Sequence, residues 1–171
     1  MPYTELLVGA GNSREKRVGL SDDLTFKNLV TLDMSPDCKP DVIHDLNELP
    51  LPFKKNSFDE IHAYEVLEHV GKQGDWRFFF NQFDEFARIL KPRGLFIATS
   101  PPSTSPWIWG DPGHTRYMGP EVYTFLLREQ YDIQIGKTSM TDYRRYFSSN
   151  WELAGRQLDD IAFIVVLRNL K

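Results

Sequence analysis

The stretch ELLVGAGNS, from Glu5 to Ser13, carries an apolar run directly into two glycines. The apolar run is typical of a short buried strand. Glycine tolerates a positive φ and lets a ligand lie against bare backbone. The turn from Gly9 to Gly11 therefore either contacts a ligand or only reverses the chain, and the residues that follow the other strands bear on that choice.

The composition is that of one soluble globular domain spanning residues 1–171, with 41% hydrophobic and 26% charged residues. The net charge of −4 gives no bulk attraction for nucleic acid or an anionic membrane. No apolar run reaches the length of about 18 residues that a membrane span needs. The single cysteine, Cys38, excludes an internal disulfide and favours a reducing compartment. The N-terminus lacks a signal-peptide pattern, so we predict a cytoplasmic protein.

Strand and helix patterns alternate along the chain. Helices are predicted over 76–91, from apolar residues at helical spacing, and over 120–130, with a long loop over 101–120 between them. The connections are too long for hairpins, which favours parallel crossovers and an open α/β sheet with its ligand at the carboxyl ends of the strands. The predicted strands cover 6–11, 28–35, 41–46, 57–64, 94–100, 131–137 and 160–169.

Acidic residues follow the second and third predicted strands. Asp33 lies 22 residues beyond Gly11, close to the spacing at which an acid accepts a ribose hydroxyl. Asp45 is followed by Leu46, a pair that suits the amino group and the ring of adenine, although Asp45 could instead cap a turn. The spacing favours an adenosine-containing ligand. A pyrophosphate-binding turn has the pattern G-x-G-x-x-G, and Arg14 occupies the position of its third glycine. A phosphate is therefore not expected at this turn.

Longer motifs resemble a known family. PDVIHDLNELPLPFKKNSFDEIHAYEVLEHV (40–70), FDEFARILKPRGLFIATSPP (83–102) and HTRYMGPEVYTFLL (114–127) resemble class I, Rossmann-like, S-adenosylmethionine-dependent methyltransferases, above all the short methyltransferase-domain proteins. The resemblance implies an α/β fold with a seven-stranded, mostly parallel sheet. It also implies that DIAFIVVLRN (160–169) is the antiparallel last strand. Because this segment is apolar on both faces, we expect it near the centre of the sheet.

The resemblance also implies which residues contact the cofactor, S-adenosylmethionine. The chain departs from the family pattern at Leu7, where an acid is usual, and at Ser13, where a third glycine is usual. Glu5, on the same face of the strand, is at best a poor replacement for the missing acid. The second crossover, between Asp33 and the next strand, is too short for its usual helix. The implied cofactor residues are Gly9, Ala10, Gly11, Asp33, Met34, Asp45, Leu46, Tyr64 and Glu65.

The residues for the acceptor and for catalysis are expected after the fourth and fifth strands. His69 and His114 are candidate bases for an acceptor that must lose a proton, while Glu68 is interpreted as structural. His69 could instead pack at a helix start, and the loop aromatics could simply cover the sheet edge. No metal site is expected, because the four histidines show no ligand spacing along the chain. The expected acceptor-binding residues are Trp107, Trp109, Arg116 and Tyr117.

The predicted function is methyl transfer from S-adenosylmethionine to a small-molecule or glycan-type acceptor. Two alternatives stay open at this point: a protein that binds the cofactor without turnover, and a methyltransferase that acts on nucleic acid or protein. The acidic composition, with a pI near 5.6, disfavours nucleic acid. The oligomeric state is undetermined, with a homodimer left open.

Overall fold

The computed structural model describes residues 2–19, 23–158 and 161–171. Its described residues form a seven-stranded sheet in the order β3-β2-β1-β4-β5-β7-β6. The strands are β1 Glu5–Val8, β2 Leu29–Asp33, β3 Val42–Ile43, β4 Phe58–Tyr64, β5 Leu90–Ser100, β6 Trp151–Leu158 and β7 Phe163–Asn169. The helices are α1 Trp76–Ile89, α2 Trp107–Gly110, α3 Pro120–Thr124 and α4 Arg128–Gln134, with one-turn 3₁₀ helices at Pro36–Cys38 and Leu67–His69.

Strand direction agrees with the predicted α/β fold. β1 to β5 pair in parallel, and β7 runs antiparallel between β5 and β6. β7 is buried on both faces, with Val165 and Leu167 in one core and Val166 in the other, which explains its continuous apolar sequence. The expectation that this strand lies inside the sheet is confirmed.

One face of the sheet is covered by α1. Asp75 caps this helix by accepting a hydrogen bond from the Phe78 backbone at 3.0 Å. The phenylalanines at helical spacing then face the sheet, and Phe83 and Phe86 are completely buried. Phe86 stacks on Phe96 of β5 with ring centroids 4.9 Å apart. Each such burial contributes about 1.5–3 kcal/mol and fixes α1 across β4 and β5.

The opposite face of the sheet carries irregular chain. The described residues between β1 and β2, 9–19 and 23–28, contain no helix, and Val18 and Phe26 pack on Leu7 and its neighbours. The crossover from β2 to β3 contains only the 3₁₀ turn Pro36–Cys38, as the short spacing predicted. In the described residues no helix combines the length and apolarity needed to cross a membrane.

The predictions for the C-terminal third need correction. The segment 131–137 is not a strand: α4 occupies Arg128–Gln134, and the predicted helix over 120–130 is split between α3 and α4. Its alternating apolar residues mimic a strand, but Tyr131 is buried while Ile133 is 56% exposed. The missed strand is β6, an edge strand with mostly exposed residues and no clear alternation. The third predicted strand, 41–46, is reduced to Val42–Ile43.

Candidate active site

The carboxyl ends of β1, β2, β3 and β4 surround a cavity of about 330 Å³. Five of the residues predicted to hold the cofactor line it, although they come from three separate segments of the chain. This is the edge of a parallel sheet where ligands bind. The lining residues are Gly9, Leu32, Asp33, Met34, His44, Asp45, Leu46, Asn47, Val66, His69 and Val70.

The glycine turn is held in a left-handed conformation beside this cavity. Gly9 has a φ of +60° and Gly11 a φ of +52°. A side chain on Gly9 would collide with Val66, whereas Gly11 faces open space. The Gly11 N–H donates to Asp33 Oδ2 at 2.8 Å, and Arg14 donates to the Gly11 carbonyl at 2.8 Å. The turn therefore presents bare backbone next to an acidic side chain.

The acids after β2 and β3 also shape the cavity. The second oxygen of Asp33 accepts from the Ser35 N–H at 2.8 Å, which fixes the carboxylate at the cavity wall. Asp45 caps a turn through hydrogen bonds from Asn47 and lines the cavity as well. Leu46 beside it is 5% exposed. An adenosine group fits this arrangement, with an acid for the ribose and apolar surface for the base.

The other four predicted cofactor residues, Ala10, Gly11, Tyr64 and Glu65, do not line this cavity. The Tyr64 ring lies under the opposite face, where its hydroxyl contacts His62 Nδ1 at 2.7 Å. Glu65 has a φ of +52°, a strained value for a non-glycine residue, and its N–H donates to the Thr99 carbonyl. Burial raises the pKa of the Glu65 carboxyl. The end of β4 thus presents strained backbone beside the site.

Glu5 does not replace the missing acid at position 7. Its fully buried carboxylate accepts from Lys16 Nζ and from the Lys27 N–H, both at 2.5 Å. Leu7 packs into the apolar cluster of the opposite face. The expectation that Glu5 could serve the cofactor is therefore wrong, because the lysine side chain and the chain after β1 take up both of its oxygens.

The two candidate bases lie together although 45 positions separate them in the chain. The His69 and His114 rings meet edge to face with centroids 4.6 Å apart. His69 Nδ1 lies 3.1 Å from the Gly113 carbonyl and His114 Nδ1 lies 3.2 Å from the Ile108 carbonyl. A carbonyl oxygen only accepts, so each Nδ1 is the donor in its contact, and in a neutral ring Nε2 is then the nitrogen with the lone pair.

Glu68 adds a group to this pair that the sequence interpretation had treated as structural. Its side chain is completely buried, and both carboxylate oxygens lack a hydrogen-bond partner within the described part of the chain. Burial raises the pKa of Glu68 to about 7. Its backbone carbonyl accepts from the Thr115 N–H at 2.8 Å, which joins the segment after β4 to the loop after β5.

The expected acceptor residues are divided between two environments. Trp107 and Trp109 on α2 are 67% and 65% exposed. Arg116 is buried, donates to the Leu67 carbonyl at 2.9 Å and to Gln82 at 2.6 Å, and has its pKa lowered to about 10 by burial. With Tyr117 it lines a second cavity of about 250 Å³ whose aromatic wall comprises Trp76, Phe79, Phe80, Phe125 and Tyr143.

Comparison with known proteins identifies the family. The family model described as "Methyltransferase domain" matches residues 6–98. Among solved structures, a SAM-dependent methyltransferase from Archaeoglobus fulgidus is 14% identical, with 97% of this chain and 86% of that one covered and a TM-score of 0.61. The N-methyltransferase NodS from Bradyrhizobium japonicum WM9, in complex with S-adenosyl-l-homocysteine, is 16% identical, with 99% and 79% covered and a TM-score of 0.56. No curated protein matches.

At these identities the solved structures establish the fold, and the family match extends over more than half of the chain. The resemblance seen in the sequence is thereby confirmed: the chain belongs to the methyltransferase-domain family, as a class I methyltransferase with S-adenosylmethionine as its cofactor.

Proposed function

We propose that this protein transfers the methyl group of S-adenosylmethionine to a small-molecule or glycan-type acceptor. The observation that carries the proposal is the 330 Å³ cavity, in which a glycine turn, Asp33, Asp45 and an apolar wall meet beside His69. The net charge of −4 supports a small acceptor over nucleic acid. The single cysteine, Cys38, further favours a cytoplasmic location for the one domain formed by residues 1–171.

The cavity residues divide the binding of the cofactor between them. Asp33 accepts hydrogen bonds from the ribose hydroxyls, while Asp45 and Leu46 hold the adenine. Gly11, where a Cβ would meet open space, leaves room for the methionine portion to approach the backbone. Ala10, Gly11, Tyr64 and Glu65 lie outside the cavity wall, so we expect them to contribute only backbone groups at the ends of β1 and β4.

The cofactor supplies a sulfonium-activated methyl group with a good leaving group already in place. The protein's share is then to position the acceptor and to exclude water. Where the acceptor is a hydroxyl, a group must also take its proton. The Nε2 atoms of His69 and His114 are suited to this, because the Nδ1 contacts to backbone carbonyls leave Nε2 as the basic nitrogen.

Asp33→Ala tests the cofactor site directly. The variant removes a charged partner of buried hydroxyls, so we expect S-adenosylhomocysteine to bind about 10- to 150-fold more weakly, equivalent to about 1.5–3 kcal/mol. The measurement is isothermal titration calorimetry. Asp37→Ala is the matched control, since Asp37 is an exposed acid on the neighbouring 3₁₀ turn, and it should bind like the wild type.

Equal affinities in the Asp33 and Asp37 variants would contradict the assignment of the ribose site. A screen of metabolites and sugars for release of homocysteine identifies the acceptor in a separate experiment. Turnover of an oligonucleotide or a protein, with no small molecule methylated, would contradict the proposed acceptor class.

A further inference from the structure

We propose that Glu68, His69 and His114 bind a first-row divalent transition-metal ion at the edge of the cofactor cavity. Each residue offers one ligand atom, and the three atoms lie within 4.8 Å of one another. Metal ions hold nitrogen and carboxylate ligands at about 2.0–2.2 Å, so modest side-chain adjustment brings all three onto one ion. Two imidazoles and a carboxylate are the donor set that Zn²⁺, Fe²⁺, Co²⁺ and Mn²⁺ share.

Both histidines are already oriented as metal ligands are. Their Nδ1 atoms lie 3.1 Å from the Gly113 carbonyl and 3.2 Å from the Ile108 carbonyl. A second hydrogen bond of this kind fixes the ring and its tautomer, and it raises the basicity of the nitrogen that faces the metal. The remaining nitrogen of each ring, Nε2, is then the ligand atom, and in His114 it lies 4.0 Å from Asp111 Oδ2.

The Glu68 carboxylate is the independent observation that points to a cation. The side chain has no exposed surface, and neither oxygen has a hydrogen-bond partner among the described residues. The charge of Arg116 acts on Glu68, but the Arg116 guanidinium donates its hydrogen bonds to the Leu67 carbonyl and to Gln82 instead of forming an ion pair with Glu68. An unpartnered buried carboxylate is costly, and a bound cation removes that cost.

A second cluster in the described residues shows what a metal-free arrangement looks like. Glu5, Glu60 and His62 also place their ligand atoms within 4.8 Å of one another. In that cluster the protein supplies its own cation, because Lys16 Nζ lies 2.5 Å from a Glu5 carboxylate oxygen and 3.0 Å from one of Glu60. Within the part of the chain that the structure describes, no lysine or arginine forms an ion pair with Glu68, so the two clusters make opposite predictions for metal binding.

The framework of the Glu68 cluster is rigid. Thr115 donates to the Glu68 carbonyl through both its N–H, at 2.8 Å, and its hydroxyl, at 3.2 Å. A Cβ on Gly113 would come within 3.1 Å of His69 Nδ1, so glycine is what lets this loop approach the imidazole so closely. The two segments are therefore held at a fixed spacing before any ligand binds.

The position gives the ion a role in the proposed reaction, and this part of the inference rests on the proposed function. His69 lines the cofactor cavity, so an ion on its Nε2 lies where an acceptor oxygen would approach. A cation lowers the pKa of a bound hydroxyl. An ion held by the Nε2 atoms of His69 and His114 takes the place of a histidine base, so the hydroxyl proton passes to water, an oxygen lone pair forms the new O–CH₃ bond, and the S–CH₃ bonding electrons stay on sulfur. The acceptor is then a hydroxyl-bearing compound.

Cobalt titration tests the site without any turnover. Protein lacking a histidine tag is stripped with EDTA and titrated with Co²⁺ alone, by visible absorption and by calorimetry. We expect one ion per chain with d–d bands of a nitrogen- and oxygen-ligated site. Glu68→Gln and His114→Ala should each weaken binding at least tenfold. The control His44→Asn removes a histidine outside the cluster and should bind Co²⁺ within about twofold of the wild type.

Each outcome distinguishes the two proposals. Absence of stoichiometric Co²⁺ binding, or wild-type affinity in both cluster variants, would overturn the metal site. Circular dichroism checks that each variant is folded. If the wild-type protein bound Co²⁺ but did not bind S-adenosylhomocysteine, that result would contradict only the proposed function. Full turnover of a hydroxyl acceptor by the stripped enzyme would overturn the role given to the ion.

Discussion

At the scale of single residues, Gly9 is the position where the site tolerates no side chain. It combines a φ of +60° with a Cβ position that Val66 already fills. Gly9→Ala should lower the free energy of unfolding by about 3 kcal/mol through strain and overpacking and abolish binding of S-adenosylhomocysteine. Thermal denaturation and calorimetry measure the two effects.

The matched control for Gly9→Ala is Gly136→Ala. Gly136 has a φ of +79° but faces open space, so an alanine there suffers only the backbone strain, about 1 kcal/mol. If the two variants lost equal stability, the contact with Val66 would be unimportant and the argument for a fixed glycine turn would fail.

Lys16 is the residue that balances the buried acids beneath the opposite face of the sheet. Its Nζ contacts Glu5 and Glu60, and all three side chains are less than 10% exposed. Lys16→Met leaves two carboxylates without their cation, so we expect a loss of about 3–5 kcal/mol at pH 7. Lys27→Met, at a side chain that is 62% exposed, should change stability by about 0.5 kcal/mol or less.

The effect of Lys16→Met should depend on pH. Burial by itself would raise the pKa of Glu60, but hydrogen bonds with His62, Tyr3 and Lys16 hold it well below the ordinary value of 4.5. A carboxyl of this kind contributes stability above pH 4.5 and loses that contribution as the pH falls further. Melting temperatures measured from pH 7 to pH 3 should therefore show the gap between variant and wild type narrowing below pH 4.5; a constant gap would contradict the assignment.

At the scale of elements, β7 connects the edge strand β6 to the rest of the sheet. It pairs with β5 over six residues and with β6 over seven, and Phe163, Val165 and Leu167 are almost fully buried. Truncation after position 160 removes this strand and leaves β5 with an unpaired edge. We expect no soluble monomer on expression. The control removes only Lys171, an exposed residue beyond β7. If the variant that ends at position 160 were folded and soluble, β7 would be dispensable.

The elements that the sequence predicts well are those with a strong pattern. α1 carries phenylalanines at helical spacing, and β7 is apolar throughout, so both are evident from residue order. β6 has only one buried residue, Trp151, and its exposed edge carries no periodicity. The apolar residues of α4 alternate as in a strand. The Tyr131 side chain is buried, however, and its hydroxyl donates to the Phe125 carbonyl, a contact that accompanies the helical turn.

Some residues of the candidate site are likewise predictable from the sequence, and others are not. Gly9, Asp33 and Asp45 each follow a strand, and strand ends meet at one edge of a parallel sheet, so their proximity is predictable. Glu68 and His114 are 46 positions apart, and hydrogen bonds between two distant segments bring them together, among them those from Thr115 to the Glu68 carbonyl. Spacing rules for metal ligands examine neighbours in the chain, and they contain no information about such a contact.

At the scale of the whole molecule, the sheet edge presents the cofactor cavity, the Glu68 cluster and two exposed tryptophans in close succession. Trp107 and Trp109 flank Ile108, whose carbonyl holds His114. Large aromatic side chains exposed beside a binding site supply contact area to a ligand at little conformational cost. We therefore keep the prediction that Trp107 and Trp109 on α2 contact the acceptor.

Trp109→Ala tests whether Trp109 contacts the acceptor and not the cofactor. Because the indole is 65% exposed, its removal should leave the melting temperature within about 1 °C and the affinity for S-adenosylhomocysteine within about twofold. If the indole contacts the acceptor equally in the ground and transition states, KM for the acceptor should rise about tenfold with kcat little changed. Leu158→Ala, at an exposed apolar side chain on β6, is the control for loss of surface hydrophobicity. An unchanged KM in the Trp109 variant would move the acceptor away from α2 and toward the aromatic cavity of 250 Å³ that Arg116 and Tyr117 line.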